Sequence, residues 1–433
     1  MTEASQFAAA HALHAAGSLA DAEAAYRLIL AEQPRHAEAQ HFLGVLLHQR
    51  GDSQEGIALI LGALEIDAGD ASRFNDLGNI LVQTGDLANA ATAFQASVQL
   101  NAGDANVLNN LASVLHRQQD YAGAEQAYRD ALRTDADFAP ALNNLAALLA
   151  ETGREEESSL FSCRAFVLPP LAEKPAKMLG IAYYRLGRIA EAARCYREWL
   201  RVEPESALAR HYLAACTGEA VPARASDEFL TAVFDDLAGS FDEKLVGKLA
   251  YRGPAIVASL LAGTLTANGA LDVLDGGCGT GLCGPVLAPY ARRLTGVDLS
   301  LGMLEKARQR KLYDELVEAE LTVYLEGRKR DFDLIAMADT LIYFGDLTAL
   351  FAAVGQALRP AGAFAFTIEV VAEPAQGEVD YRLSPSGRYG HSARYVAQAL
   401  AAAGFVRLRC DDVVLRTEFC TPTQGLGLLA RIA

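Results

Sequence analysis

The sequence predicts a two-part, multidomain chain: an all-α solenoid of repeated helix pairs, then an α/β domain on an open parallel sheet. Three observations carry this. Small and apolar residues recur every 34 positions through the first half. A strand-like run, Leu271 to Asp275, ends in alternating glycines at Gly277, Gly279 and Gly281. An acid, Asp298, closes the next apolar run, Leu294-Thr295-Gly296-Val297. The chain's 433 residues suit two or three domains.

The repeats come first. Leu43, Leu77, Leu111, Leu145, Leu179 and Leu213 keep the 34-residue step, and so do Gly17, Gly51, Gly85, Gln119, Gly153 and Gly187. Ala22, Gly56, Ala90, Ala124, Ser158 and Ala192 follow it, as do Tyr26, Ile60, Phe94, Tyr128 and Tyr196, with Ser162 breaking the last series. Each unit reads as a helix, a turn at a Gly-Asp or Gly-Arg pair, and a second helix. The small residues let the helices approach, and the aromatic fills the groove to the next unit. One pair cannot bury its apolar face alone, so stacking makes the core. This pattern resembles the tetratricopeptide repeat. The resemblance implies six repeats over about residues 3 to 206 and a capping helix near 207 to 217. The repeat domain, a curved superhelix, is thus placed at 3–219, with Ala220 to Ser226, which contains Pro222, as a hinge.

The first helix of each unit faces the concave side. Its middle positions hold Asn75-Asp76, Asn109-Asn110 and Asn143-Asn144, with Asn79 and His116 nearby; Phe42 and Met178 replace asparagine at the ends. Asparagine is a poor helix-interior residue because its amide competes for backbone bonds. Two readings stand. In one, the amides form a ladder for the backbone of an extended protein or peptide ligand, an arrangement similar to the asparagine-lined superhelix of O-GlcNAc transferase. In the other, they serve packing between repeats.

The α/β half is placed at 220–433. A glycine corner after a first parallel strand lets backbone approach a ligand, and an acid about 20 residues on suits ribose hydroxyls. Dinucleotide sites carry G-x-G-x-x-G; here the glycines alternate, and Asp275 precedes them. That acid repels a diphosphate and suits an amino group. These residues resemble a class I S-adenosylmethionine-dependent methyltransferase, a Rossmann-like fold. The resemblance implies S-adenosyl-L-methionine as cofactor, held by Asp275, Gly277, Cys278, Gly279, Gly281 and Asp298. Leu299 to Arg308 is similar to the family's D-x-S-x-x-M-L-x-x-A-R helix start, with Ser300 as N-cap and Leu299 and Met303 near the adenine. Glu320, in the strand-like piece Glu318-Ala319-Glu320-Leu321, stands where relatives usually place an Asp toward the adenine amino group. Asp331 to Asp339 reads as a fourth strand buried on both faces, with Ala338 at its tip beside the cofactor. Leu358-Arg359-Pro360-Ala361-Gly362 leads into a fifth strand. Phe234-Asp235-Asp236-Leu237-Ala238-Gly239-Ser240-Phe241-Asp242, then Tyr251-Arg252, resembles a cofactor-covering lid, so Tyr251 and Arg252 join the cofactor set.

The acceptor side is less defined. Methyl transfer leaves binding and orientation to the protein. The tip of the fourth strand, Asp339 to Tyr343, faces the methyl group in relatives. His391, in the loop Ser386 to Ser392, is the only histidine of this half and has the pKa of a base near pH 7. The alternative is a histidine hydrogen-bonded to its loop backbone. Catalytic candidates are therefore His391, Asp339 and Tyr343, with Arg388 and Tyr389 as acceptor contacts. Cys278, inside the loop, is given no catalytic role. The fourth strand ends in Ala338-Asp339-Thr340-Leu341 rather than N-P-P-Y, which disfavours methylation of base or glutamine amino groups. No metal-ligand spacing occurs, so no metal dependence is expected.

A net charge of −16 argues against general nucleic-acid binding. Seven cysteines without a C-x-x-C pair fit reduced thiols. No apolar run reaches about 18 residues, so a soluble, cytoplasmic protein is expected. Three functions follow: a methyltransferase (O- or N-transfer) whose repeats dock a protein, peptide or carrier-bound acceptor; a scaffold with a cofactor-binding but non-catalytic domain; or a small-metabolite methyltransferase using its repeats for localisation or self-association.

Overall fold

The computed structural model describes residues 3–237, 239, 242, 250–371, 379–418 and 421–433. The chain divides into two compact units, Met1–Glu173 and Lys174–Ala433.

In the first unit, ten helices form five antiparallel pairs: α1 (Glu3–Ala15) with α2 (Leu19–Glu32), α3 (Ala37–Gln49) with α4 (Ser53–Ile66), α5 (Ala71–Thr84) with α6 (Leu87–Leu100), α7 (Ala105–Arg117) with α8 (Tyr121–Thr134), and α9 (Ala139–Glu151) with α10 (Glu155–Phe166). The 34-residue ruler sets their turns. Gly17, Gly51, Gly85 and Gly153 all adopt left-handed φ, and Gln119 takes the same conformation (φ 64°) without a glycine's freedom. The aspartates that follow three of them cap the second helices: Asp52 accepts from Glu55 N–H, Asp86 from Asn89 and Asp120 from Gly123. The aromatic series is fully buried, but it packs first within its own pair. A Cβ on Gly78 would sit 2.7 Å from the Phe94 ring, and one on Gly44 the same distance from Ile60.

The second unit begins with one more pair, α11 (Ala176–Arg185) and α12 (Ile189–Val202), and the expected cap α13 (Ala207–Thr217). The last repeat and its cap thus share a compact unit with the α/β part, although the repeat period places them in a domain ending at 219. The reason is α13. His211 is buried and its Nε2 lies 2.9 Å from the Gly387 carbonyl oxygen; its ring stacks on Phe229, 3.9 Å between centroids. The expected hinge is likewise pinned. Ala225 N–H donates to Tyr343 O (2.8 Å), Gly345 N–H to Ala223 O (2.8 Å), and Tyr389 hydroxyl to Pro222 O (2.8 Å). Backbone bonds of this kind tie residues 222–225 into the α/β part, so they form a strap rather than a hinge.

After α14 (Asp227–Leu237) and α15 (Gly253–Leu261) comes the sheet: β1 (Leu271–Gly276), β2 (Ala291–Asp298), β3 (Glu315–Glu318), β4 (Phe332–Met337), β5 (Leu358–Val370), β6 (Tyr381–Leu383), β7 (Tyr389–His391), β8 (Phe405–Glu418) and β9 (Thr421–Ile432). The order is β3-β2-β1-β4-β5-β7-β6, with β9 antiparallel to β5 and β8. The strands from β3 through β5 are parallel, and β4 is buried from Phe332 to Met337 apart from Asp333. Helices α16 (Gly284–Leu287), α17 (Leu301–Gln309), α18 (Leu321–Glu326), α19 (Thr348–Ala357) and α20 (Ala393–Ala402) complete the unit. No helix among the described residues is long and apolar enough to cross a membrane.

Candidate active site

In an open parallel sheet the carboxyl ends of the strands turn toward one crevice. Here the tips of β1, β2 and β4 converge on a cavity of about 320 Å³. The loop after β1 makes its floor. Gly277 (φ 71°) and Gly279 (φ 53°) are left-handed, and a Cβ on Gly277 would come within 2.5 Å of the Thr340 side chain. Only glycine lets this corner lie against the β4 tip. The Thr340 hydroxyl donates to Gly276 O (2.8 Å) and locks the two tips together.

Asp298, at the end of β2, accepts from Gly279 N–H (2.8 Å) through one oxygen and from Ser300 N–H (2.9 Å) through the other. It therefore shapes the glycine loop as well as facing the cavity. Burial raises its pKa, partly offset by those backbone bonds. Ser300 caps α17, accepting from Met303 N–H at 3.2 Å, and places Met303 in the cavity wall.

Asp275 is almost fully buried and accepts from the Tyr313 hydroxyl (2.6 Å). Burial pushes its pKa up to about 7; the Tyr313 bond opposes this and the nearby Asp298 charge adds to it. A cationic neighbour in the cavity would restore its charge. Glu320 follows β3 as the N-cap of α18: one oxygen accepts from Val323 N–H (2.8 Å), while the other, Oε1, is buried with no hydrogen bond, 4.0 Å from Arg224 Nε. That atom is an acceptor waiting for a donor.

Of the other cofactor candidates, Tyr251, Cys278, Leu299 and Ala338 line the cavity. Gly281 does not; a Cβ there would point at Tyr313 and Arg310, behind the loop. Arg252 is exposed and sits at the N-cap of α15, its backbone N–H on Leu415 O (2.9 Å). Two aspartates of the expected lid reach the cofactor loops: Ser300 hydroxyl donates to Asp235 at 2.5 Å, and Thr280 hydroxyl donates to Asp242, which also pairs with Arg310 (2.5 Å). Phe241, in the same motif, lies outside the described residues.

On the acceptor side, Asp339 and Tyr343 line the cavity. Asp339 is held at φ 56°, an uncommon conformation for a non-glycine residue, by Thr367 hydroxyl on its N–H (2.8 Å) and by Arg416 on Oδ2 (2.7 Å). Tyr343 packs edge-on against Phe234, and burial pushes its phenol up to about 12.

His391 is not at the cavity. It is wholly buried, its Nε2 2.8 Å from Phe344 O and 3.2 Å from Gly345 O, its ring stacked on Tyr395. Two carbonyl acceptors require the hydrogen on Nε2, and burial pushes the pKa down to about 4. The loop-bonded alternative describes this residue, and the base role has no geometric support. Tyr389 is also buried away from the cavity, its hydroxyl on the strap, whereas Arg388 does line it.

Sequence reasoning missed Arg416, whose side chain is only 3% exposed and lines the cavity. It pairs with Asp339 and with Glu369, to which Arg388 Nε is also close (3.2 Å). The available signal was a charged residue directly after the apolar run Val413-Val414-Leu415.

In the repeats, the asparagines bond to one another. Asn110 donates to Asn79 (3.3 Å) and Asn144 to Asn109 (3.0 Å), while Asn75 donates to Asp76 (3.4 Å). Asn143 is exposed; the others are half-buried. A further set runs alongside: His41 to Asp76, His48 to Gln83 and His116 to Glu151, each 35 positions apart and within 3 Å. Packing between repeats thus uses much of the ladder's hydrogen-bonding capacity.

Comparison with known proteins finds two families in the chain. The methyltransferase domain family matches residues 273–362, and the tetratricopeptide repeat family matches 7–71, 75–140 and 177–216. The chain is 33% identical over 106 residues to a malonyl-[acyl-carrier protein] O-methyltransferase of Acetivibrio thermocellus, covering 24% of this chain and 37% of that protein. It is 28% identical over 169 residues to a trans-aconitate 2-methyltransferase of Paracidovorax citrulli, covering 38% and 58% respectively. Both matches span less than two thirds of those relatives' lengths. Among solved structures, an S-adenosylmethionine dependent methyltransferase from Mesorhizobium loti aligns with 26% identity and a TM-score of 0.32, over 42% of this chain and 97% of that one. The chain is a tetratricopeptide-repeat protein fused to a class I methyltransferase domain.

Proposed function

We propose that the α/β half, residues 220–433, transfers a methyl group from S-adenosylmethionine to an oxygen or nitrogen of an acceptor that the repeats, residues 3–219, dock as a protein, peptide or carrier-bound group. One observation carries the cofactor reading: Asp298, Glu320 and Asp275 face a single cavity floored by left-handed glycines. The residues fit that cofactor. The orphaned Glu320 Oε1 suits an adenine amino group, and the glycine corner leaves no Cβ in the way. Asp298 would take the ribose hydroxyls, and Asp275, whose pKa of about 7 falls beside a cation, would take an ammonium.

The cofactor, when bound, supplies an activated methyl on a sulfonium. The protein's part is orientation and exclusion of water. Ala338 and Asp339 present the β4 tip to the reacting region, Thr340 fixes that tip to the glycine loop, and Phe234, Leu230 and Tyr343 wall it. Oxygen transfer agrees with the name of the O-methyltransferase relative. The repeat family supports a docking role, and half-buried amides that already bond one another favour recognition by the exposed rungs, Asn143 first.

Calorimetric titration with S-adenosylmethionine and, separately, NADH tests this. Binding of the first alone, weakened by about 1–3 kcal/mol in Asp298→Ala, is expected. Binding of neither would leave a repeat scaffold as the working half.

A further inference from the structure

We infer that Asp339 is the catalytic carboxylate of the site and that its Oδ1 takes the hydrogen of a neutral hydroxyl, an alcohol or phenol, which leaves as a methyl ether; this rests on the methyl-transfer reading above.

Among the described residues lining the cavity, two carboxylate oxygens are buried without a hydrogen bond: Glu320 Oε1 and Asp339 Oδ1. A buried acceptor left open in this way is costly unless a ligand supplies the donor. The strand order β3-β2-β1-β4 sets the tips that carry Glu320 and Asp339 three strand spacings apart, roughly 14 Å. One donor cannot serve both. Glu320 stands at the adenine end, so Oδ1 is left for the acceptor.

The rest of Asp339 is fixed to present that oxygen. Arg416 holds Oδ2 (2.7 Å), Thr367 hydroxyl holds the backbone N–H (2.8 Å), and the backbone sits at φ 56°. Residues kept in such a conformation by their surroundings cluster at functional sites. The neighbouring charges favour an uncharged acceptor. Arg416 and Arg388 are matched by Asp339 and Glu369, so neither an ammonium nor a carboxylate finds an unmatched counter-charge there. An ionised carboxylate would also set its lone pairs against those of Oδ1. A hydroxyl brings the missing donor without a charge, and Leu230, Val233, Phe234 and Ile342 give its carbon skeleton an apolar wall.

No other described cavity group is placed to take the proton. Neither histidine nor lysine lines the cavity among these residues, and Asp275 accepts from Tyr313 beside the glycine loop. Burial raises Tyr251, Tyr343, Cys278 and Cys283, so all four hold their protons at pH 7. The hydroxyl oxygen's lone pair forms the new carbon–oxygen bond while the methyl–sulfur bond breaks, its electrons remaining on sulfur. The hydroxyl turns strongly acidic as it gains the methyl, and its proton passes to Oδ1. A sulfonium and a carboxylate thus become a neutral thioether and a neutral acid, an outcome that a water-poor cavity favours. Asp339 then returns the proton to solvent.

The test uses the full-length protein with methyl-labelled S-adenosylmethionine. The probes are phenol, benzyl alcohol and octanol, against benzylamine, octylamine, benzoate and octanoate. Label on at least one hydroxyl probe, stable to mild alkali and not extracted into acid, is the expected result. Label on the amines or carboxylates instead, or none on any hydroxyl while the cofactor still binds, overturns the proposal. Loss of cofactor binding itself would remove the methyl-transfer reading and the proposal with it. Asp339→Asn tests the residue. Asparagine tolerates left-handed φ as aspartate does, and with its carbonyl oxygen on Arg416 it puts an amide donor where Oδ1 was. Its kcat should fall at least about a hundredfold with the cofactor Kd unchanged. An unchanged kcat overturns the catalytic role, and so does a weakened cofactor Kd, which would give Oδ1 to the cofactor.

Discussion

Replacing His391 with glutamine separates a structural histidine from a catalytic one. The neutral ring gives its Nε2 hydrogen to the carbonyls of Phe344 and Gly345, and Nδ1 is buried without a partner. Protonation would place a second N–H and a charge where nothing accepts them. The folded chain therefore takes up that proton near pH 4, the unfolded chain near 6.5. Because the unfolded state binds the proton first as pH falls, the stabilisation is complete above about pH 6.5 and is withdrawn toward pH 4. The gap between 6.5 and about 4, at about 1.4 kcal/mol per unit, amounts to about 3 kcal/mol. Glutamine keeps a donor for the carbonyls and cannot titrate. Urea unfolding followed by the fluorescence of Trp199, the single tryptophan and in the same compact unit, reads the difference. Wild type should lose about 3 kcal/mol more than His391→Gln between pH 7 and pH 4. Parallel pH dependences would refute the argument. So would a folded variant that binds cofactor at pH 7 yet transfers no methyl, since that restores the base.

Gly277→Ala forces a Cβ to within 2.5 Å of Thr340 at a left-handed position, so cofactor affinity should drop by about 1–3 kcal/mol, read by calorimetry. A chain beginning at residue 174 should retain cofactor binding and a cooperative melt, whereas one beginning at 220 should lose both, because it lacks His211 and the rest of α13; equal melting temperatures would oppose this. Asn144→Ala should lower the unfolding free energy of the repeats by about 0.5–1.5 kcal/mol by removing its bond to Asn109, measured by denaturant melts of the full chain.

The repeat half was legible because its signal is local and multiplied. Each turn needs a left-handed residue and each close helix contact a small one, so the same demand recurs every 34 positions. The cofactor end was legible for a related reason: Gly277, Gly279 and Asp298 answer backbone requirements that few residues meet. What escaped depends on contacts distant in sequence. Burial of His391 under Tyr381 and Tyr395 leaves no trace in its neighbours' spacing, and the same residue in an exposed loop would read identically. Arg416 is brought to Asp339, 77 positions away, by the antiparallel β8–β9 pair, which no motif announced. The strap read as a hinge because Pro222 and small residues look the same in a linker and in a stretch hydrogen-bonded to a turn more than a hundred positions on.

That strap carries a lesson about modularity. The tetratricopeptide unit is a building block that can be added or removed by whole periods, since each copy touches chiefly its neighbours. Here that freedom has a terminus. The cap holds the Gly387 carbonyl and the strap that follows it holds the Tyr343 turn, so the last copy, its cap and the strap behave as inherited parts of the transferase. Array length is a free variable only upstream of residue 174. Recombination or design that trades one array for another should cut there, leaving the last helix pair with the chemistry it braces.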